Sequence, residues 1–250
     1  MNPSLATDAT DPPGFDDGTA PRFHAYESRM QWTWGAAISI SSALSRDLQR
    51  RPRARLLLSG GSTPAPVYEA LSKAPLDWDR IDIALVDERW LLPDDPDSNA
   101  RLVRESLLQN KAANARFETI TRPGRSIEEA VSVASLHASH APSVVVLGMG
   151  EDGHTASLFP RMQGLQHALA TRSPYVAVDA TGCAGAGRFL RRVSLTPAGL
   201  EPAQARILLI RGSAKRALFE RALESDDATE FPVRIAFTTP GAQLNVHWCP

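Results

Sequence analysis

The sequence predicts an α/β fold, with a doubly wound, mostly parallel sheet flanked by helices, Rossmann-like and built as a single domain. Short runs rich in aliphatic residues at 56–58, 81–86, 144–147 and 206–210 indicate strands buried on both faces. Helical patterns separate these runs, which is typical of βαβ connections and hence of parallel strands. Ligands of such sheets bind at the carboxyl ends of strands, so the residues that follow each run are the candidates for a site.

The composition is that of an ordinary globular protein, with 43% hydrophobic and 22% charged residues among 250. A formal net charge of -1 argues against a nucleic-acid or membrane-surface partner held by bulk charge. The two cysteines, Cys183 and Cys249, form no CxxC motif, so neither a disulfide framework nor a metal site is indicated. No apolar run approaches the roughly 18 residues of a membrane span, and a signal-peptide pattern is lacking. These features predict a cytoplasmic protein.

A change in composition near residue 22 marks the predicted domain boundary. Residues 1–22 are rich in proline, aspartate, glycine and threonine, which predicts a disordered leader, and residues 23–250 form the predicted domain. A helical pattern then covers about 27–50. Its predicted buried stripe consists of Trp34, Ile38, Ala43 and Leu48.

The other elements follow from weaker patterns. Residues 181–187 are rich in glycine and alanine and predict a mobile loop, whereas 233–237 fits either a strand or a helical turn. The remaining predicted elements are helices at 126–140 and 214–223, and strands at 175–178, 191–196 and 244–248.

The first candidate segment follows the strand at 56–58. A Gly-Gly turn flanked by hydroxyl side chains, with Pro64 in the first turn of a helical pattern, predicts a helix N-terminus aimed at the strand end. Such a terminus offers free N–H groups and the positive end of the helix dipole, which suits a phosphate. No Gly-Lys-Ser/Thr follows, so this is not a Walker A loop, and simple capping explains the pattern equally well. The segment consists of Ser59, Gly60, Gly61, Ser62 and Thr63.

Charged and polar residues follow two further strands. Asp87, Glu88 and Arg89 come directly after the strand at 81–86, and three consecutive charges are not typical of a core; a salt-bridged surface corner is the alternative. Asn99 lies at the start of the next helical pattern. Lys215 lies in the first turn of a later helix, where a lysine opposes the helix dipole unless it faces an anion.

The most informative segment follows the strand at 144–147. Three glycines lie within 148–153, and they let the backbone take a positive φ or approach a ligand closely. Gly150, Asp152 and His154 stand in this loop, and an imidazole with an ordinary pKa near 6.5 is mostly neutral at pH 7, as a general base must be. Taken alone, the pattern also fits a loose turn that carries a surface histidine.

These segments together resemble the 6-phosphogluconolactonase family, within the wider group of sugar-phosphate isomerases and aminosugar-phosphate deaminases. The resemblance covers roughly 25–241, and its most specific part is GMGEDGHTASLFP at 148–160. Deaminases share Asp-Gly-His but continue with Ala-Phe-Asn-Glu-Pro, whereas Ala-Ser-Leu-Phe-Pro follows here. One departure is that 182–187 replaces the usual proline-rich approach to RVSLT. The supporting segments are SGGSTP at 59–64, DERW at 87–90, RVSLT at 192–196 and GSAK at 212–215.

The resemblance implies hydrolysis of 6-phospho-D-glucono-1,5-lactone to 6-phosphogluconate, the second step of the oxidative pentose phosphate pathway. His154 would activate a water, and Asp152 would orient or stabilise its ring. The implied partner is a small-molecule sugar-phosphate lactone, with no cofactor, metal, nucleic acid or membrane, and the protein would be a monomer or weak homo-oligomer. The residues implied to bind substrate or phosphate are Ser59, Gly60, Gly61, Ser62, Thr63, Asp87, Arg89, Asn99, Gly150, Arg192 and Lys215.

Two alternatives stay open at this point. A sugar-phosphate isomerase or deaminase would use a carboxylate such as Asp87 to move a C2 proton. A non-catalytic sugar-phosphate sensor on the same fold would carry a DNA-binding helix-turn-helix segment, for which the short leader leaves no room, and it would not need His154.

Overall fold

The computed structural model describes residues 20–250, in which strands and helices alternate. The strands are β1 Arg22–Ala25, β2 Ala54–Leu58, β3 Ile81–Leu85, β4 Asp87–Arg89, β5 Arg116–Phe117, β6 Val144–Gly148, β7 Tyr175–Asp179, β8 Arg191–Leu195, β9 Arg206–Arg211 and β10 Leu244–Cys249. The α-helices are α1 Arg29–Leu48, α2 Ala65–Leu71, α3 Asn99–Ser106, α4 Ile127–His137, α5 Leu165–Ala170, α6 Pro197–Leu200, α7 Ser213–Glu224 and α8 Ile235–Thr238.

Seven strands form one parallel sheet in the order β1-β10-β9-β6-β2-β3-β5. Its central strands are buried on both faces, as their continuous aliphatic runs predict. From β2 the chain proceeds to β3 and β5 on one side, whereas β6, β9 and β10 lie on the other. The strand order therefore reverses between β2 and β6, and at such a switch point the loops after the two strands flank a crevice. The predicted fold class is confirmed.

A second, antiparallel sheet has the order β4-β8-β7. The sequence predicted one sheet, so the expectation that the strands at 175–178 and 191–196 belong to it is wrong, and the short strand β4 was not predicted. Val86, between β3 and β4, explains the separation: its N–H donates to Leu58 O in the main sheet, and its carbonyl accepts from Leu195 N in the small one. The pairing in the small sheet sets Arg89 opposite Arg192, which brings two predicted site residues together.

Helix α1 packs on the sheet through a face that combines alanines with large apolar side chains. Trp34 and Ile38 are 47% and 60% exposed, so their predicted burial is wrong, whereas Ala43 is buried as expected. Alanines allow a close approach to the sheet, and the indole N–H of Trp32 donates to His247 O at 3.0 Å. The buried residues of α1 are Trp32, Ala36, Ala37, Ile40, Ala43, Leu44 and Asp47.

Several segments that the sequence left open take a definite form. The stretch at 233–237 is helical, with a 3₁₀ turn at Pro232–Arg234 followed by α8. The Gly/Ala-rich loop contains a 3₁₀ turn at Ala184–Ala186. Most of the predicted leader, 1–19, lies outside the described residues and stays a prediction, although Arg22 already belongs to β1. Among residues 20–250, no helix is long and apolar enough to cross a membrane.

Candidate active site

A cavity of about 230 Å³ lies at the carboxyl edge of the main sheet, where the loops after β2, β6 and β9 meet the small sheet. Every predicted site residue except Asp152 lines it, so the strand ends converge as expected. The lining residues are Ser59, Gly60, Gly61, Ser62, Thr63, Pro64, Asp87, Arg89, Asn99, Gly148, Met149, Gly150, His154, Ala156, Arg192, Leu209 and Lys215.

The loop after β2 forms an open cradle. Gly61 has φ +92 and no atom near the position of a Cβ, and within residues 20–250 the N–H groups of 61–63 have no acceptor. The hydroxyl of Ser59 is buried and has no partner among the described residues. These N–H groups precede the seven-residue helix α2, which begins at Ala65, so they belong to the loop and not to the helix. Unsatisfied N–H groups around a glycine suit an anionic ligand.

Asn99 fixes the arginine at the rim of this cradle. Its amide donates to Asp87 O at 2.8 Å, and its Oδ1 accepts from Arg89 Nη1 at 2.6 Å. Gly60 allows this placement, because a Cβ there would lie 1.8 Å from Asn99 Oδ1. Arg89 Nε is buried and has no partner among the described residues. Arg89 is thus oriented by its neighbours and lines the cavity as a cation that suits an anionic ligand.

Glu88 holds the start of α3 at Asn99. The sequence predicted no role for Glu88 in the site. Its carboxylate accepts from the backbone N–H groups of Asn99 and Ala100, both at 2.8 Å, and therefore caps α3. Burial raises the pKa of Glu88 to about 7, although these hydrogen bonds oppose the shift. These groups meet because the chain between β4 and α3 folds back, and no pattern in the sequence predicts that contact.

Asp152 and His154 form a tight pair. His154 Nδ1 lies 2.5 Å from Asp152 Oδ1, and the His154 backbone N–H donates to the same oxygen at 3.1 Å. Burial raises the pKa of Asp152, but the hydrogen bonds from His154, and the attraction of its ring whenever that ring is protonated, lower it by more, so the carboxyl group stays ionised. A carboxylate only accepts, so Nδ1 carries the proton and Nε2 is left free to take one. Only His154 of the pair lines the cavity.

Phe159 links this pair to Arg192. The rings of His154 and Phe159 are 4.5 Å apart, and the Arg192 guanidinium lies 5.1 Å from the Phe159 centroid. Arg192 is buried, and its Nε and Nη2 donate to Phe189 O at 2.8 Å and Ala186 O at 2.7 Å. Desolvation lowers its pKa. Much of the hydrogen-bonding capacity of Arg192 therefore serves the protein itself.

Ser157 joins the two halves of the cavity wall. Its hydroxyl donates to Asp87 Oδ2 at 2.6 Å and lies 3.4 Å from Arg192 Nη1. Its backbone N–H donates to Ser194 Oγ at 3.1 Å. Ser157 stands in the motif at 148–160, but no role was predicted for it. The signal that could have indicated one is a hydroxyl side chain beside the apolar residues Leu158 and Phe159.

Lys215 supplies a further cation from the first turn of α7. Its ammonium donates to Met149 O at 2.6 Å, which holds it beside the loop after β6. Burial lowers its pKa, although the nearby Glu151 opposes the shift. No group of three or more His, Cys, Asp or Glu in the described part of the chain is arranged to hold a metal ion. The expected lack of metal and cofactor stays a prediction.

Fold and cavity together define a doubly wound α/β protein with a cavity lined by arginine and lysine side chains at the switch point of its sheet. The family model for glucosamine-6-phosphate isomerases/6-phosphogluconolactonase matches residues 28–248. The chain therefore belongs to this family, as the motifs predicted.

Individual relatives agree with the family model. A 6-phosphogluconolactonase of Xylella fastidiosa is 50% identical over 226 residues, covering 90% of this chain and 94% of that protein. A 6-phosphogluconolactonase of Pseudomonas aeruginosa is 39% identical, covering 86% and 90%. The crystal structure of a 6-phosphogluconolactonase from Shewanella baltica matches with a TM-score of 0.85 at 34% identity, covering 92% of this chain and 98% of that one.

Proposed function

We propose that this chain hydrolyses 6-phospho-D-glucono-1,5-lactone to 6-phosphogluconate, with a water activated by His154. The family and the names of its relatives support the activity. The observation that carries the mechanism is the Asp152–His154 pair, because it leaves Nε2 of a cavity-lining imidazole free to accept a proton. The pair is an enzyme feature that a sensor would not need, so it also favours catalysis over ligand sensing.

The reaction requires one base and one acid, and a single histidine serves as both. The water oxygen bonds to C1 while His154 Nε2 takes a water proton, and the carbonyl oxygen becomes an oxyanion. When the oxyanion collapses, the bond between C1 and the ring oxygen breaks. The ring oxygen then takes the proton from the imidazolium and becomes a hydroxyl group. Asp152 stabilises the imidazolium while it exists, and the product acid ionises and releases a proton to the solvent.

The cations that line the cavity are suited to hold the substrate phosphate. Arg89 and Lys215 carry charges there, and the loop at 59–63 offers N–H groups that lack an acceptor among the described residues. Arg192 contributes charge but is largely engaged by Ala186 and Phe189. Charge-assisted hydrogen bonds of this kind are about twice as strong as neutral ones, so they anchor the substrate while C1 faces His154.

The isomerase or deaminase alternative finds less support. Asp87 would be its base, but Oδ2 of Asp87 accepts from Ser157 at 2.6 Å and Oδ1 lies 3.4 Å from Asn99 Nδ2. A carboxylate held in this way is a structural acceptor rather than a free base. We also propose a cytoplasmic location, because a phosphorylated sugar does not cross membranes freely, and a monomer or weak homo-oligomer.

Proton release measured at constant pH tests the proposal. Freshly generated 6-phosphogluconolactone is added to the enzyme, and the rate is corrected for spontaneous hydrolysis. We expect release that scales with enzyme concentration, with one proton per lactone consumed. A corrected rate of zero would overturn the proposed activity.

A further inference from the structure

The Asp152–His154 pair lies between two glycine backbones. A Cβ on Gly150 would lie 2.1 Å from His154 Nδ1 and 2.6 Å from Asp152 Oδ1. On the other side, a Cβ on Gly185 would lie 2.2 Å from Asp152 Oδ2 and 3.2 Å from His154 Nδ1. Gly150 belongs to the same loop as the pair, whereas Gly185 comes from the separate turn at Ala184–Ala186.

Several contacts hold this turn in place. Arg192 donates to Ala186 O at 2.7 Å and to Phe189 O at 2.8 Å, so one buried guanidinium ties the turn and the following residues to β8. The N–H of Ala180 donates to Leu190 O at 2.9 Å and closes the base of the loop. Arg188 also pairs with Asp97 at 2.5 Å, although this exposed contact is the weakest of the set.

We propose that Gly185 is a positioning residue for the catalytic pair and that Arg192 holds its turn in place. This inference rests on the proposed function, because it assigns the pair a catalytic role. The absent Cβ lets the turn cover Oδ2 of Asp152, which restricts rotation of the carboxylate and keeps Oδ1 aimed at His154 Nδ1. Such packing holds a general base in the geometry that proton transfer requires.

The variant Gly185→Ala tests the proposal. No positive φ is found at Gly185, so alanine fits the backbone, and the clash falls on the Asp152 side chain. We expect kcat to fall roughly ten- to hundredfold, the size expected when a charge-assisted hydrogen bond is disturbed, while KM changes little. The proton NMR signal of His154 Nδ1–H should shift or broaden. Ala184→Ser, at an exposed neighbour in the same turn, should leave kcat and this signal unchanged.

The variant Arg192→Lys tests how the turn is held. Lysine keeps the positive charge, but its single Nζ does not reproduce the two separated donors, Nε and Nη2, with which the guanidinium reaches the two carbonyl groups. We expect a lower kcat, the same change in the Nδ1–H signal, and faster proteolysis within 181–190. If Arg192→Lys raises KM alone and leaves the signal intact, its role is phosphate binding and this part of the proposal is wrong.

The inference and the proposed function fail in different ways. If the parent chain does not hydrolyse the lactone, the proposed function is wrong. If the parent is active and Gly185→Ala retains more than half of kcat with an unchanged Nδ1–H signal, the proposed role of Gly185 is wrong while the function stands.

Discussion

The loops after β2 and β6 follow similar strands but differ in their internal hydrogen bonds. Each follows a strand buried on both faces, each is rich in glycine, and the two flank the same switch point. In the loop at 59–63, a hydroxyl and several N–H groups have no partner among the described residues. In the loop at 148–155, Gly150 N donates to His154 O at 2.8 Å, and Thr155 Oγ1 donates to Gly148 O at 2.8 Å.

Under the proposed function, this difference assigns phosphate binding to the first loop and catalysis to the second. A loop with unsatisfied donors gains most when an anion arrives, so the loop after β2 is suited to hold the phosphate. A loop cross-linked by its own hydrogen bonds, as at 148–155, restricts the motion of its side chains, as a general base requires. Substitutions in the first loop should therefore act mainly on KM, and substitutions in the second mainly on kcat.

The largest effect is expected at His154. His154→Ala should lower kcat by on the order of 10²–10⁴, the usual range for loss of a general base, with little change in KM. His154→Asn should be equally slow, because an amide can hold the water but cannot take its proton. The measurement is kcat of both variants, with circular dichroism as the check on folding. A folded His154→Ala enzyme with more than about a tenth of parent kcat would show that another group is the base.

A smaller effect, on KM rather than kcat, is expected at Lys215. Lys215→Ala removes one cation from the cavity, and loss of a charge-assisted contact of about 1.5–3 kcal/mol implies a roughly ten- to hundredfold drop in kcat/KM. Arg216→Ala is the matched control, because it removes the same charge one residue later on a side chain paired with Glu220 outside the cavity. Equal losses in both variants would mean that the effect is general electrostatics and not a phosphate contact.

The smallest effect on activity is expected at Glu88, which holds Asn99, because the contribution of Glu88 is to the stability of the fold. Its pKa is raised by burial from 4.5 to about 7, so ionising Glu88 costs more in the folded protein than in the unfolded one. The stability from this group is therefore fully present below pH 4.5 and is lost as pH rises through 7, by up to about 3 kcal/mol.

Glu88→Gln isolates this contribution because glutamine does not ionise. Urea unfolding of the parent and the variant between pH 4.5 and pH 8 gives the difference in free energy of unfolding. We expect that difference to shift in favour of the variant as pH rises. Parallel curves across the range would mean that Glu88 does not titrate there.

The sequence predicted the central strands and the converging site because both depend on local patterns. Continuous aliphatic runs identify buried parallel strands, and the residues after them must meet at one edge. The motif at 148–160 added the Asp152–His154 pair, to which we assign the proposed catalytic role. The sequence did not indicate β1, because the four residues Arg22–Ala25 contain no aliphatic run and become a strand only by pairing with β10.

Other features depend on contacts between distant segments. Trp34 and Ile38 were assigned to a buried stripe from an imperfect helical periodicity, yet α1 buries a different face. Glu88 looked like part of a charged corner, but the chain folds the start of α3 over it. Gly185 stands in a segment predicted only to be a loop. The role proposed for it rests on the close approach of its backbone to Asp152, since a Cβ added at Gly185 would lie 2.2 Å from Oδ2.

The ratio of kcat/KM on 6-phosphogluconolactone to kcat/KM on unphosphorylated gluconolactone tests the division between phosphate binding and catalysis most directly. In the parent this ratio should be on the order of a hundred or more, because two or more charge-assisted contacts act only on the phosphate. Lys215→Ala should lower the ratio, whereas His154→Asn should slow both reactions and leave the ratio nearly unchanged. Equal kcat/KM values on the two lactones in the parent, or a ratio that follows His154 instead of Lys215, would contradict the account.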